Sequence, residues 1–131
     1  MSLKLLLTLS GCLETLAGLL ALISPTAVVS LLLGGSIDAS GLVLARIFGA
    51  GLFGLGMACL TAREDVGSPA GFAVSLGITS YNVLATVILF WAVAGIRLGG
   101  ALLWGAGILH AVLAALFVAA LAGSPALAPR S

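Results

Sequence analysis

The stretch Leu9–Ala21, LSGCLETLAGLLA, admits two incompatible readings. Leu9-Ser10-Gly11-Cys12 has the form of a site where a signal peptide is cut and its cysteine acylated, whereas Glu14 within CLETLAGLL reads as a carboxylate carried by a membrane helix. Length decides between them. A signal peptide places an apolar core of about 7 to 15 residues between its basic start and its cleavage site. Between Lys4 and Gly11 only Leu5–Ser10 are available, and the apolar run continues past Cys12 to Ile23. The stretch is therefore expected to stay on the chain as its first membrane helix.

Composition agrees. The 131 residues are 62% hydrophobic and 7% charged, with a mean hydropathy of +1.34, whereas soluble domains carry about 25% charged residues. The chain reads as an integral membrane protein whose first partner is membrane lipid. Five basic and four acidic residues leave a net charge of +1, so no basic surface is available to neutralise phosphates and nucleic acid is excluded as a partner. Cys12 and Cys59 lie in apolar runs with no C-x-x-C pair, which excludes a disulfide scaffold and a thiol oxidoreductase.

Crossing a bilayer core of about 30 Å takes about 20 apolar residues at 1.5 Å each. Four stretches qualify, at about residues 3–24, 41–62, 70–94 and 99–122. The links REDVGSP and GIRLGG are short enough to make neighbouring spans antiparallel. The link between the first two spans is longer. In it Ser24 is placed as an N-cap, Pro25 as the first helical residue, and the apolar run to Leu33 breaks at Gly34-Gly35. The expected architecture is all-α: an integral membrane up-down four-helix bundle forming a single transmembrane domain over 1–131, with a short interfacial or re-entrant helix over one mouth. Lys4, Arg63 and Arg130 fall on one side of the membrane and Arg97 and Asp38 on the other. The positive-inside rule then puts both termini in the cytoplasm, for a bacterial inner-membrane location.

Helical spacing also orients the spans. At 100° per residue, Ser10, Gly11, Ala17, Gly18 and Ala21 surround Glu14, with Leu5, Leu9, Leu13, Leu16 and Leu20 opposite. Small residues let helices approach and leucines suit lipid, so Glu14 is expected to face inward. In the second span Arg46 shares a face with Gly49, Ala50, Phe53 and Met57, and the glycines of GAGLFGLG keep that helix slim. In the third, Ser75, Thr79, Asn82 and Thr86 form one stripe, while Tyr81 points about 100° away from Asn82 and is a secondary candidate with Thr79 and Thr86. In the fourth, His110 shares a face with Ala106, Gly107, Ala114 and Phe117. Trp91 and Trp104, toward span ends, are expected to anchor at the interface.

Glu14, Asn82 and His110 each lie about ten residues from either surface, near the midplane, and Arg46 about 8 Å below the non-cytoplasmic surface. The Arg46 side chain has the length to reach Glu14 or to snorkel outward. Glu14, Arg46, Asn82 and His110 are therefore the candidate ligand site or buried polar network. Glu14 with Arg46 is readable as a structural ion pair, His110 as a hydrogen-bonded neutral imidazole, and the Ser/Thr/Asn stripe as interhelical hydrogen-bonding groups.

One histidine and one intramembrane carboxylate are too few for a metal site, and no G-x-S-x-G, H-E-x-x-H or phosphate-binding glycine loop occurs. No catalytic residue is assigned and no cofactor is required. A minor alternative is a tetrapyrrole ligated by His110, since Ala106 and Gly107 would leave room a turn earlier for a flat macrocycle.

GLVLARIFGAGLFGLGMACLTARE (41–64), SYNVLATVILFW (80–91) and LLWGAGILHAVLAALF (102–117) resemble the DoxX-like small four-helix bacterial membrane proteins over nearly the whole chain. That resemblance implies an inner-membrane bundle acting as an accessory to a redox or respiratory system. A glutamate midway along the first helix is also similar to the small multidrug-resistance transporters. There, by implication, Glu14 would exchange protons for a cationic drug within a dimer, which an ionised pair with Arg46 would prevent. The function expected is non-enzymatic: binding of a small amphipathic or lipid-like, quinone-like molecule at the midplane site, or service as an accessory subunit in a larger membrane complex or homo-oligomer. Proton-coupled transport through Glu14 is the alternative.

Overall fold

A computed structural model describes residues 1–123. Arg130, used above for orientation, lies outside the described residues. Five helices follow one another: α1 (Leu3–Ile23), α2 (Pro25–Leu33), α3 (Ala39–Ala62), α4 (Pro69–Ala94) and α5 (Leu103–Ala122). All but α2 are long and apolar enough to cross a membrane, so the protein is a multi-pass bundle of the expected class.

The caps explain where the helices begin. Ser2, Asp38 and Ser68 each accept a hydrogen bond from a backbone N–H one turn in, and Pro69 sits where its missing donor costs nothing. Asp38 therefore starts α3 at Ala39, two residues before the expected Gly41. α2 begins at Pro25 as expected, although Ser24 makes no side-chain cap, and ends on Gly34 in the left-handed region at φ 74°. The last helix starts at Leu103 rather than at about residue 99. Residues 99–102 instead turn beneath α2, where the Leu102 N–H donates to the Leu31 carbonyl at 2.9 Å.

The bundle is built from two antiparallel pairs, α1 with α3 and α4 with α5. In the first pair Arg46, early in α3, meets the end of α1, and Lys4, early in α1, meets Glu64 beyond the end of α3. The seam between them is made of glycine. A β-carbon on Gly18 would lie 2.5 Å from the Phe53 nitrogen and 2.6 Å from the Gly49 oxygen, distances that only the absence of a side chain permits. With Gly11, Thr15, Gly18 and Ala21 on this seam, the adjacent face of α1 turns to the interior. Ser10 and Glu14 are buried there, Glu14 being only 4% exposed. Leu5, Leu9 and Leu16 face outward, with Leu16 at 58%, while Leu13 and Leu20, though exposed, also border the cavity described below. The rotation is the one the wheel predicts.

Packing differs between the two ends. At the Lys4 end, Leu6, Leu7, Cys59, Ile78, Leu113 and Phe117 form a closed apolar cluster. At the other end α2 lies against α1, α3 and α5, covering the mouth as expected. Trp91 and Trp104 are exposed on the outer surface.

Gly18→Ala should force the α1–α3 seam apart and cost about 1–3 kcal/mol, as overpacking does. Gly51→Ala, with nothing within 4 Å of the new carbon, should change stability by no more than about 1 kcal/mol and in the favourable direction. Unfolding of both variants in detergent measures the contrast. At the Lys4 end, Lys4 Nζ donates to Glu64 Oε2 at 2.7 Å and Arg63 Nε to Oε1 at 3.1 Å. The hydrogen bond from Lys4 holds the Glu64 carboxyl below the ordinary glutamate value. A lowered folded-state value means stability that is present above the unfolded value, about 4.3, and lost as pH falls through the folded one. The small melting difference between wild type and Glu64→Gln should accordingly be present at pH 7 and vanish in acid.

Candidate intramembrane cavity and polar cluster

Of the four residues expected to converge, three approach one another and one does not. Asn82 is fully buried on α4, and its Oδ1 lies 2.8 Å from Nδ1 of His110 on α5. Tyr81 is the link to α1. It lines one cavity with Glu14 of α1, and its ring meets the His110 imidazole edge-on with centroids 5.4 Å apart. The sequence reading ranked Tyr81 below Asn82 because their side chains point in different directions. That divergence lets α4 serve two sides, with Asn82 bonded to His110 of α5 and Tyr81 turned to the space it shares with Glu14 of α1.

Arg46 stands apart. Its side chain is exposed and its Nε points to the Leu22 carbonyl at 3.4 Å, near the end of α1. The ion pairs among the described residues are Lys4–Glu64 and Arg63–Glu64, so the expected Glu14–Arg46 pair is not formed. The reason is depth. Arg46 lies only two turns into α3, at the level of the last turn of α1, and an unpaired backbone carbonyl and the interface are both nearer than Glu14.

The stripe on α4 also behaves differently from expectation. Ser75 donates to Gly71 O at 2.8 Å, Thr79 to Ser75 O at 2.6 Å and Thr86 to Asn82 O at 2.7 Å. These hydroxyls bond back to their own helix, where the carbonyl four residues earlier is the closest acceptor in apolar surroundings, and they make no bond to another helix. Asn82 does the same with its amide nitrogen, to Ile78 O at 2.8 Å, which leaves its oxygen free for His110.

Beside this cluster is a cavity of about 300 Å³. Its polar lining is Glu14, Tyr81 and His110; the remaining walls come from apolar residues of all five helices and the α4–α5 link, including Phe48 and Leu52 of α3 and Leu102 of the link. α2 supplies Val28, Leu31 and Leu32. These wall residues were not foreseen, although their i, i+3, i+4 spacing is the mark of a helix with one inward face. Asn82, Thr79, Thr86 and Arg46 do not line it. Gly107, expected to leave room for a macrocycle, is instead buried against Phe90, whose Cζ would be 3.5 Å from an added β-carbon.

Comparison of the chain with protein-family models, with curated proteins and with solved structures gives no match. The chemistry is therefore argued from the cavity itself. It offers an apolar volume with a carboxyl, a phenol and an imidazole gathered at one end, and among the described residues no cationic side chain pairs with the carboxyl.

Two double-mutant cycles separate the contacts that form from the one that does not. Asn82→Leu with His110→Phe should show a coupling of about 0.5–1.7 kcal/mol, because either single change strands a buried polar partner. Glu14→Gln with Arg46→Ala should be additive to within about 0.5 kcal/mol, as residues sharing no contact are.

Proposed function

We propose that the protein is a non-enzymatic binder of a small amphipathic, lipid-like or quinone-like molecule within a bacterial cytoplasmic membrane, with both termini on the cytoplasmic side. The cavity carries this reading. Ligand cavities run from about 300 to 1,000 Å³, mostly apolar with a few convergent polar groups, and this one has that composition at the small end of the range. Lys4 and Arg63, gathered around Glu64 at one end, support the orientation.

The position of Arg46 favours a second reading. With no cation paired to it among the described residues, Glu14 is free to take and release a proton, which transport of a lipophilic cation in exchange for protons requires.

The binding reading is tested by titrating para-heptylphenol into the purified protein in detergent and following heat. Wild type should bind at one saturable site, and Ala106→Phe, which places a ring in the cavity, should weaken binding at least about tenfold while the helical spectrum is kept. Equal uptake by both proteins would show that the probe enters detergent rather than the cavity. The transport reading is tested in vesicles carrying a pH gradient with tetraphenylphosphonium as the probe. Uptake that Glu14→Gln abolishes would put transport ahead.

A further inference from the structure

We infer that the polar end of the cavity is built to receive a hydrogen-bond donor, so that the molecule it takes is an apolar body bearing a hydroxyl group, in preference to one bearing a carbonyl, ether or ester oxygen. The inference rests on the reading of the cavity as a binding site and adds to it the chemical class of the ligand's head.

The argument begins at Asn82. Its carboxamide has one nitrogen and one oxygen, and the nitrogen is committed to the Ile78 carbonyl at 2.8 Å within the same helix. The group directed at α5 is therefore the oxygen, which can only accept. His110 Nδ1, 2.8 Å away, must then carry the proton. No carboxylate lies within ion-pair distance of the ring among the described residues, and a lone imidazolium inside a bilayer is costly, so the imidazole is neutral. A neutral imidazole has a single N–H. The tautomer is thereby set, and Nε2, on the other side of the ring, presents a lone pair.

The same accounting applies to the other two polar groups of the wall. The Tyr81 hydroxyl and, in either protonation state, the Glu14 carboxyl each keep an acceptor oxygen, so both can also receive a hydroxyl. Asn82, Thr79 and Thr86, the donors nearest in sequence, are satisfied within α4 and do not line the cavity. Among the described residues no donor bonds His110 Nε2, and the ring lines the polar end of the apolar pocket. A hydroxyl supplies that donor. A ketone or ether oxygen can accept from Tyr81 but has no hydrogen to give Nε2, which is left without a donor. Among quinone-like molecules this favours the form that carries hydroxyls.

The test compares two molecules with the same apolar body. Para-heptylphenol and para-heptylanisole are titrated into wild type, with Ala106→Phe defining uptake by detergent alone. The phenol should bind at least about tenfold tighter, since every tenfold reflects one well-made buried hydrogen bond. In His110→Leu that preference should shrink toward unity while the apolar contribution persists. Equal affinities in wild type would overturn the inference and leave the binding reading standing. Binding of neither molecule, or binding unchanged in Ala106→Phe, would overturn both. Should His110→Leu fail to fold, ring-nitrogen NMR of the wild-type protein decides the premise by itself: a protonated Nδ1 with a bare Nε2 is expected, and the reverse tautomer would overturn the inference.

Discussion

The close approach of α1 and α3 is the constraint from which the interior follows. Where Gly18 meets Gly49 and Phe53 the two backbones are in contact, so α1 has no freedom to turn about its axis without driving a side chain into its neighbour. That fixed rotation puts Gly11, Thr15, Gly18 and Ala21 on the seam and turns Glu14 to the cavity it lines with Tyr81 of α4 and His110 of α5. A carboxyl is thereby held inside a lipid-facing bundle that would otherwise let it rotate toward the interface. Burial of Glu14 is a by-product of backbone packing rather than of any partner for its charge.

How the remaining polar atoms behave follows from the scarcity of acceptors. In water a serine or threonine hydroxyl finds solvent; along α4 the carbonyl one turn back is in reach, whereas on α1 the buried Ser10 and Thr15 hydroxyls find no partner among the described residues. On α4, Ser75, Thr79 and Thr86 all take that carbonyl. Cross-helix bonding is left to groups that still have a free atom after that local bond is made. Asn82 is such a group because a carboxamide has both a donor and an acceptor. This is why a stripe of four polar residues yields a single interhelical hydrogen bond.

The same physics divides what could be read from the sequence from what could not. Element number, the short helix from Pro25 to Leu33 and the rotation of α1 depend on local signals and on the contrast between small residues and leucine, which are written in order along the chain. Glu14 and His110 were legible for the same reason, each being an ionisable side chain in the middle of an apolar span. Tyr81 was undervalued because a helix wheel assumes one inward face, while α4 has neighbours on two sides. Arg46 was misplaced because reach was judged from side-chain length alone. Which of two reachable partners a long side chain takes depends on how the helix ends align, and that alignment is tertiary. The late start of α5 has a similar origin, since the Leu102–Leu31 hydrogen bond joins segments far apart in the chain.

The placement of the polar cluster within the bundle bears on what can enter it. At the Lys4 end the cluster around Phe117 and Leu6 closes the interior, whereas beyond Glu14 the helices stand apart and α2 roofs the space between them. Glu14, Tyr81 and His110 therefore sit at the floor of the cavity, near mid-depth, with apolar walls rising toward the mouth. A bilayer lipid has the opposite arrangement, its polar group at the surface and its tails at mid-depth. A volume of about 300 Å³ has room only for something far smaller than a two-tailed lipid. The cavity, with its polar groups at mid-depth and its apolar space toward the mouth, is thus the reverse of the layout of the bilayer lipid around it.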